Sequence, residues 1–88
     1  MFDSFLYSKN EGQFLGMKRF FLSTSDFSFP KLREKLNTIF SSHTFQIFWE
    51  DSENRRTPVT SEDKFQICLE NHQKQDQIIN LILVEVNT

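Results

Sequence analysis

Five carboxylates lie between Trp49 and Phe65, although the formal net charge of the whole chain is only -2. They form two groups on either side of a short apolar segment: Glu50, Asp51, Glu53, Glu62 and Asp63. Carboxylates crowded on one surface repel one another, and cationic partner groups would relieve that repulsion. The spacing therefore favours a surface that binds lysine and arginine side chains, although Arg55 and Arg56 lie in the same stretch.

The second group also has a purely structural interpretation. Glu62 and Asp63 precede an apolar helical pattern, and negative charge in the first turn of a helix is favoured by the helix dipole. That interpretation leaves Glu50, Asp51 and Glu53 unexplained, since they follow a strand pattern instead. A single negative surface made by both groups accounts for all five.

A tandem cationic pair, Lys18 and Arg19, lies in a segment rich in strand-forming residues. Neighbouring side chains in a strand point to opposite faces, so one of the two must face the helix-covered side unless the strand lies at an edge. A lysine at a sheet edge also discourages accidental strand pairing. The pair is therefore either a solvated edge or a binding surface for acidic groups.

The sequence gives no positive indication of an enzyme, a metal site or a cofactor site. His43 and His72 are 29 residues apart, whereas metal-binding histidines are closely spaced. Cys68 falls on an apolar helix face, where a buried thiol is unreactive. The two glycines in the chain exclude the glycine-rich loops that bind phosphates.

The composition also limits partners and compartment. The chain has 10 basic against 12 acidic residues, so it lacks the basic excess of a nucleic-acid-binding domain. It contains no apolar run long enough to span a bilayer and no signal-peptide pattern. One cysteine fits a reducing compartment. We expect a cytoplasmic protein that binds neither nucleic acid nor membrane.

The hydrophobic pattern predicts seven elements in the order ββαββαβ. Two strands form a hairpin around residues 9–13, and a helix capped by Ser28 follows with an apolar stripe. A third strand, a short edge strand containing Pro58, and a second helix capped by Thr60 or Ser61 come next. The nearly continuous apolar run at residues 78–86 is typical of a central strand.

This order predicts an α+β fold, a ubiquitin-like β-grasp roll with a mixed sheet and two helices. A ferredoxin-like βαββαβ order is the nearest alternative, and it would require the opening hairpin to be one broken strand. At 88 residues the chain is expected to be a single domain over residues 1–88. We expect it to be the N-terminal part of a longer protein.

The acidic stretch resembles the acidic motif of Phox-and-Bem (PB1) domains. The matching residues run in order through both acidic groups: Trp49, Asp51, Glu53, Val59, Thr60, Ser61, Glu62, Asp63 and Phe65. The resemblance implies the ubiquitin-like fold and front-to-back association, in which the acidic surface of one domain docks on a basic surface of the next. The tandem pair in "MKRFF" is most similar to the amino-terminal domains of sequestosome-type selective-autophagy receptors.

By this resemblance, Asp51, Glu53, Glu62 and Asp63 form the acidic face. Lys18 and Arg19 form the basic face, with Lys9 as a helper. The partner is then the chain itself or another PB1 protein, giving a homo-oligomer or a heterodimer in selective autophagy or signalling.

Three positions depart from the family pattern. Ser4 stands where a first-strand lysine is usual, Arg55 stands where an acid is usual, and Trp49 replaces a tyrosine. Two alternative functions remain. One is a Ras-association-type domain that binds a GTPase through basic residues of its second strand. The other is a free-standing ubiquitin-like modifier, which would need a Gly-Gly tail that "VEVNT" does not show.

Overall fold

The computed structural model describes residues 1–9, 12–23, 25, 27–51, 53–73 and 78–86. The described residues form five strands and two helices in the predicted order. Their bounds are β1 Phe2–Tyr7, β2 Phe14–Phe20, α1 Phe29–Ile39, β3 Phe45–Glu50, β4 Arg56–Pro58, α2 Glu62–Gln73 and β5 Ile79–Glu85. The first two strands are separate elements, so the ferredoxin-like alternative is wrong.

The five strands form one mixed sheet in the order β2-β1-β5-β3-β4. The last strand of the chain lies at its centre, parallel to β1 and antiparallel to β3. The apolar run of residues 78–86 is therefore flanked by neighbours on both sides, as predicted. The two outer strands are β2 and β4.

Both helices contribute to a core on one face of the sheet. Leu32 and Leu36 of α1 are fully buried, and so are Phe65 and Cys68 of α2. They pack in one cluster with alternate residues of the strands, among them Phe2, Leu6, Ile47, Trp49, Leu81 and Leu83. Two helices over one face of a mixed sheet make the α+β, ubiquitin-like β-grasp fold that the sequence predicts.

The helix starts follow from local capping chemistry. The Ser28 hydroxyl accepts a hydrogen bond from the Lys31 N–H at 3.4 Å, and Pro30 lies in the first turn of α1. At α2 the Ser61 hydroxyl accepts from the Lys64 N–H at 3.4 Å, so Ser61 acts as the cap. Each cap satisfies a backbone donor that has no partner inside its helix.

The opposite face, here called the outer face, carries the other alternate residues of the strands. In β1 these are Asp3, Phe5 and Tyr7, since Phe2 and Leu6 point into the core. Ile82 is 4% exposed and yet does not belong to the core cluster. Its register partners, Phe5 and Phe48, are both partly buried and flank it on this face.

Candidate functional site

The first acidic group forms the connection between β3 and β4. The carboxylate of Asp51 accepts hydrogen bonds from the backbone N–H groups of Glu53 and Arg55, each at 2.9 Å. The Asp51 N–H donates to the Arg55 carbonyl at 2.9 Å. Asn54 takes a left-handed backbone conformation with φ 63°, which asparagine tolerates better than most residues. Asp51 therefore shapes this turn.

The same hydrogen bonds lower the pKa of Asp51. The backbone N–H of Arg55 is the largest cause that holds the pKa of Asp51 below its usual value, with smaller help from the N–H of Glu53 and the Arg55 guanidinium. Partial burial of the Asp51 carboxylate raises its pKa, but by less than the hydrogen bonds lower it. Asp51 is thus ionised at neutral pH.

Arg55 bridges two acids of the turn. Its Nε lies 3.1 Å from Asp51 Oδ2, and its Nη2 lies 3.1 Å from Glu53 Oε2. The Arg55 side chain is 71% exposed, and exposed ion pairs contribute little to stability. Arg56 pairs with Glu50 across the hairpin at 3.7 Å. The two arginines therefore offset much of the negative charge of the loop, but water can reach these pairs.

The second acidic group opens α2. Glu62 Oε1 accepts a hydrogen bond from the Phe29 N–H at 3.1 Å, and its Oε2 accepts from Gln66 Nε2 at 2.7 Å. Glu62 thus ties the first turn of α2 to the first turn of α1. Asp63 is exposed, and no hydrogen bond or ion pair of its carboxylate is found among the described residues. Its charge is available to a partner.

Both groups lie at one end of the sheet, where β1 starts and β3 ends. Gln66 donates to the Phe27 carbonyl, and the Phe27 ring lies 6.3 Å from the Phe2 ring at the start of β1. Glu50, the last residue of β3, shares a row with Asn80 near the start of β5. Within the described ranges, no hydrogen bond or ion pair joins the loop acids to Glu62 or Asp63.

The tandem cations of β2 divide between the two faces, as strand alternation predicts. Lys18 is paired in register with Ser4 and points to the helix-covered side, while Arg19 is paired with Asp3 on the outer face. Lys18 is exposed and has no ion pair among the described residues. The cationic pair therefore does not form one patch.

Arg19 is engaged within the chain by Asp3. Its Nε and Nη2 lie 2.6 Å and 3.0 Å from the two carboxylate oxygens, a bidentate contact. The Asp3 side chain is only 9% exposed, against 49% for Arg19. The hydrogen bond with Asp3, followed by its charge, raises the pKa of Arg19. Arg19 compensates a nearly buried carboxylate, a role that the sequence analysis missed.

Ser4, where the resemblance would place a first-strand lysine, is fully buried. Its hydroxyl donates to the Lys18 carbonyl at 2.8 Å. β1 therefore contributes no cation. On α1, the exposed Lys31 and Lys35 line a shallow groove of about 250 Å³ with Leu22, Glu34 and Thr38. The groove joins α1 to the segment that follows β2.

Among the described residues, the remaining candidates do not come together in one cluster. Burial raises the pKa of the Cys68 thiol to about 12, so this thiol is a core residue, as predicted. His43 Nδ1 lies 2.6 Å from Glu85 Oε2, and the side chain of His72 lies outside the described part of the chain. Within the described ranges, His, Cys, Asp and Glu nowhere cluster in the groups of three or more that a metal ion would need. Neither described helix has the length and hydrophobicity of a membrane-spanning helix.

Two helices over one face of a five-stranded mixed sheet make the ubiquitin-like β-grasp fold of PB1 interaction domains. A family model of the PB1 domain matches residues 13–86, and the chain belongs to that family. PB1 domains are protein–protein interaction and oligomerisation modules, and their partners are other PB1 domains. A search of curated proteins finds no match to this chain.

Proposed function

We propose that this domain docks front to back on other PB1 domains through an acidic surface formed by Asp51, Glu53, Glu62 and Asp63. The supporting observation is that the acids of the β3–β4 hairpin, which Arg55 and Arg56 offset only in part, and the cations of β2 lie at opposite edges of the sheet. Four strand spacings separate these edges, roughly 19 Å at about 4.8 Å each. Unlike surfaces so far apart allow a heterologous contact, in which each surface meets its counterpart on a neighbour.

The four acids have different roles in this proposal. Glu53 is 69% exposed and Asp63 has no intramolecular partner among the described residues, so these two reach the partner's lysine and arginine side chains. Asp51 holds the turn that presents Glu53. Glu62 fixes the start of α2, which presents Asp63, by its hydrogen bond to Phe29.

Arg55 modulates the acidic surface. In the free domain it pairs with Asp51 and Glu53, and a cationic partner side chain would compete with it for the same oxygens. Since the Arg55 side chain is 71% exposed, it can turn toward solvent at small cost. Docking is therefore weakened by Arg55 but not blocked.

The proposed basic surface is the open edge of β2, from which Lys18 extends on one face of the sheet and Arg19 on the other, with Lys9 as a helper. Ser4 adds no charge, and Arg19 already pairs with Asp3. The basic surface is therefore expected to bind a partner more weakly than the acidic surface does. A heterodimer with a PB1 domain that has a strong basic surface is therefore favoured over a homo-oligomer. An exposed ion pair contributes about 0–1 kcal/mol, so useful affinity needs several pairs together with apolar contact.

The biological setting follows only from resemblance. Since "MKRFF" is similar to the corresponding segment of sequestosome-type receptors, we place the domain in a cytoplasmic scaffold of selective autophagy or signalling. A fluorescent fusion of the chain would then collect in cytoplasmic puncta together with its PB1 partner. A diffuse distribution when that partner is co-expressed would contradict this setting.

Charge reversal tests the acidic surface. We expect Glu53→Lys with Asp63→Lys to weaken binding to a basic PB1 domain by about tenfold or more, because about 1.4 kcal/mol corresponds to tenfold. Isothermal titration calorimetry measures this loss. The matched control, Glu34→Lys with Glu70→Lys, makes the same change in net charge on exposed positions of α1 and α2. Equal weakening by both pairs would mean that only overall charge matters, and the acidic surface would be refuted.

A further inference from the structure

Two exposed lysines of α1 lie away from the β2 edge. Lys31 and Lys35 are four positions apart on the helix, so they share one face, with their Cβ atoms about 5–6 Å apart. Lys31 Nζ lies 3.9 Å from Glu34 Oε2, and both side chains are more than half exposed, so this ion pair holds the lysine weakly. Lys35 has no ion pair among the described residues. Both lysines can therefore bind an anionic partner.

The two lysines line a groove that also has an apolar wall. This α1 groove, between α1 and the segment after β2, includes Leu22 among its lining residues. Leu22 is partly buried and packs against the core. Its neighbour in the chain, Phe21, is 70% exposed. Lysines beside an exposed aromatic ring suit a partner surface that carries carboxylates and also has apolar atoms to cover the ring.

Lys18 lies on the same side of the sheet as the α1 groove. It is paired in register with the fully buried Ser4, so its side chain leaves β2 on the helix-covered side. Leu22 follows four residues later, which in extended chain is at most about 14 Å. Lys18 and the two lysines of α1 therefore flank one stretch of surface.

We propose that the α1 groove receives the acidic surface of a partner PB1 domain. Lys18, Lys31 and Lys35 bind the partner's carboxylates, and Phe21 makes the apolar contact. This inference rests on the proposed front-to-back docking and adds where on this chain the partner's acids bind. The occupant follows from charge complementarity, because three lysines attract an acidic surface and repel a basic one, and PB1 domains bind other PB1 domains.

The outer face offers a poorer alternative for the same partner. Its cation on β2 is Arg19, which holds the nearly buried Asp3 by a bidentate contact. Moving Arg19 to a partner would leave the Asp3 charge without its counter-ion and away from water, which is costly. On the helix-covered side, Lys18 and the two lysines of α1 are exposed and can be engaged without that loss.

Charge reversal in the groove is the first test. We expect Lys31→Glu with Lys35→Glu to weaken binding to a PB1 domain that has an acidic surface and no basic one by about tenfold or more. The matched control, Arg33→Glu with Lys64→Glu, makes the same change in net charge at exposed positions of α1 and α2. Isothermal titration calorimetry measures both. Equal weakening by the two pairs, or unchanged binding by the first pair, would overturn the proposal.

A milder pair guards against loss of the fold. Lys31→Gln with Lys35→Gln removes both charges and keeps good helix-forming residues in α1. It should also weaken binding to the acidic PB1 domain, whereas Arg33→Gln with Lys64→Gln should not. Circular dichroism verifies that every variant is folded. No difference between these two folded pairs would count against the groove.

The apolar contact gives a second measurement, which net charge does not affect. Phe21→Ser should weaken binding to the same acidic PB1 domain by about fivefold or more, because the covered ring would no longer be removed from water. Ile67→Ser is the matched control, since Ile67 is 48% exposed and lies on α2. Equal affinities of the two variants would show that Phe21 makes no contact with the partner.

The groove and the acidic surface fail separately. Binding of a basic PB1 domain depends on the acidic surface, so Lys31→Glu with Lys35→Glu should not weaken it. If the wild-type chain bound a basic PB1 domain but no acidic one, the α1 groove would be refuted and acidic docking would stand. If it bound an acidic domain through the groove but no basic one, the acidic surface would be refuted and the groove would stand.

Discussion

Two arginines neutralise carboxylates in this domain, and their surroundings differ. Arg19 holds Asp3 by a bidentate contact, and the Asp3 side chain is 9% exposed. Arg55 holds Asp51 and Glu53 in an open turn, and Glu53 is 69% exposed. The first pair cannot be broken without leaving a charge away from water. The second costs less to break, because Glu53 is exposed to water and Asp51, 18% exposed, keeps its hydrogen bonds from two backbone N–H groups.

The tandem cations and the acidic stretch are therefore not equivalent halves of one docking interface. Arg19 is needed by its own fold, which limits how far the basic surface can serve a partner. Arg55 is an exposed counter-ion that partly neutralises the acidic surface. Whether each arginine can leave its own carboxylate to take part in docking therefore depends on how buried that carboxylate is, not on how exposed the arginine is.

The largest expected effect breaks the buried pair. Arg19→Ala should lower the free energy of unfolding, because Asp3 is left nearly buried without its counter-ion. Lys18→Ala is the matched control, since Lys18 is exposed and has no ion pair in the described part of the chain. Urea denaturation followed by circular dichroism gives both values. If the two variants were equally stable, the Asp3 contact would have no structural role.

A smaller effect, on binding affinity, is expected when the positive charge of Arg55 is removed. Arg55→Glu puts an acid where the resemblance to PB1 domains would place one, and it would add one exposed ion pair to the proposed docked complex. One such pair contributes up to about 1 kcal/mol, roughly a fivefold gain in affinity for a basic PB1 domain. Titration calorimetry at low and high salt measures it. Weaker binding by Arg55→Glu would show that Arg55 contacts the partner favourably.

The smallest effect concerns the pH dependence of the acidic turn. The folded pKa of Asp51 lies below its ordinary value of 3.8, so ionised Asp51 stabilises the fold above pH 3.8. This contribution is lost as the pH falls below 3.8 and through the folded pKa. Asp51→Asn should therefore show a weaker loss of stability than the wild-type chain over that acidic range, measured by urea midpoints. Parallel pH profiles would contradict the assignment.

Much of the fold could be predicted from local patterns. The apolar run of residues 78–86 indicated a central strand, and Ser28 with Pro30 indicated the start of α1. Both patterns involve only neighbouring residues, so helix capping and strand burial can be inferred directly from the order of residue types. That residues 1–88 form a single domain, and that this domain is the N-terminal part of a longer protein, stay predictions.

The site was less predictable because its important contacts join distant residues. Asp3 meets Arg19 only because of the register of β1 against β2, and Glu62 meets Phe29 across 33 positions of the chain. The sequence showed which acids cluster, but the turn-building role of Asp51 depends on backbone N–H groups that any residue possesses. Side-chain types alone therefore could not separate supporting acids from available ones.

The central place of β5 has a consequence for how the domain is made. β1 and β3 are joined within the sheet only through β5, and the parallel partners Phe2 and Ile79 stand near opposite ends of the described chain. Such non-local pairing slows folding. During synthesis the β1–β2 and β3–β4 hairpins cannot complete the sheet until β5 has left the ribosome. Until then the edges of β1 and β3 that pair with β5 stay unpaired. The nascent domain therefore passes through a stage in which a chaperone or a premature pairing can intervene.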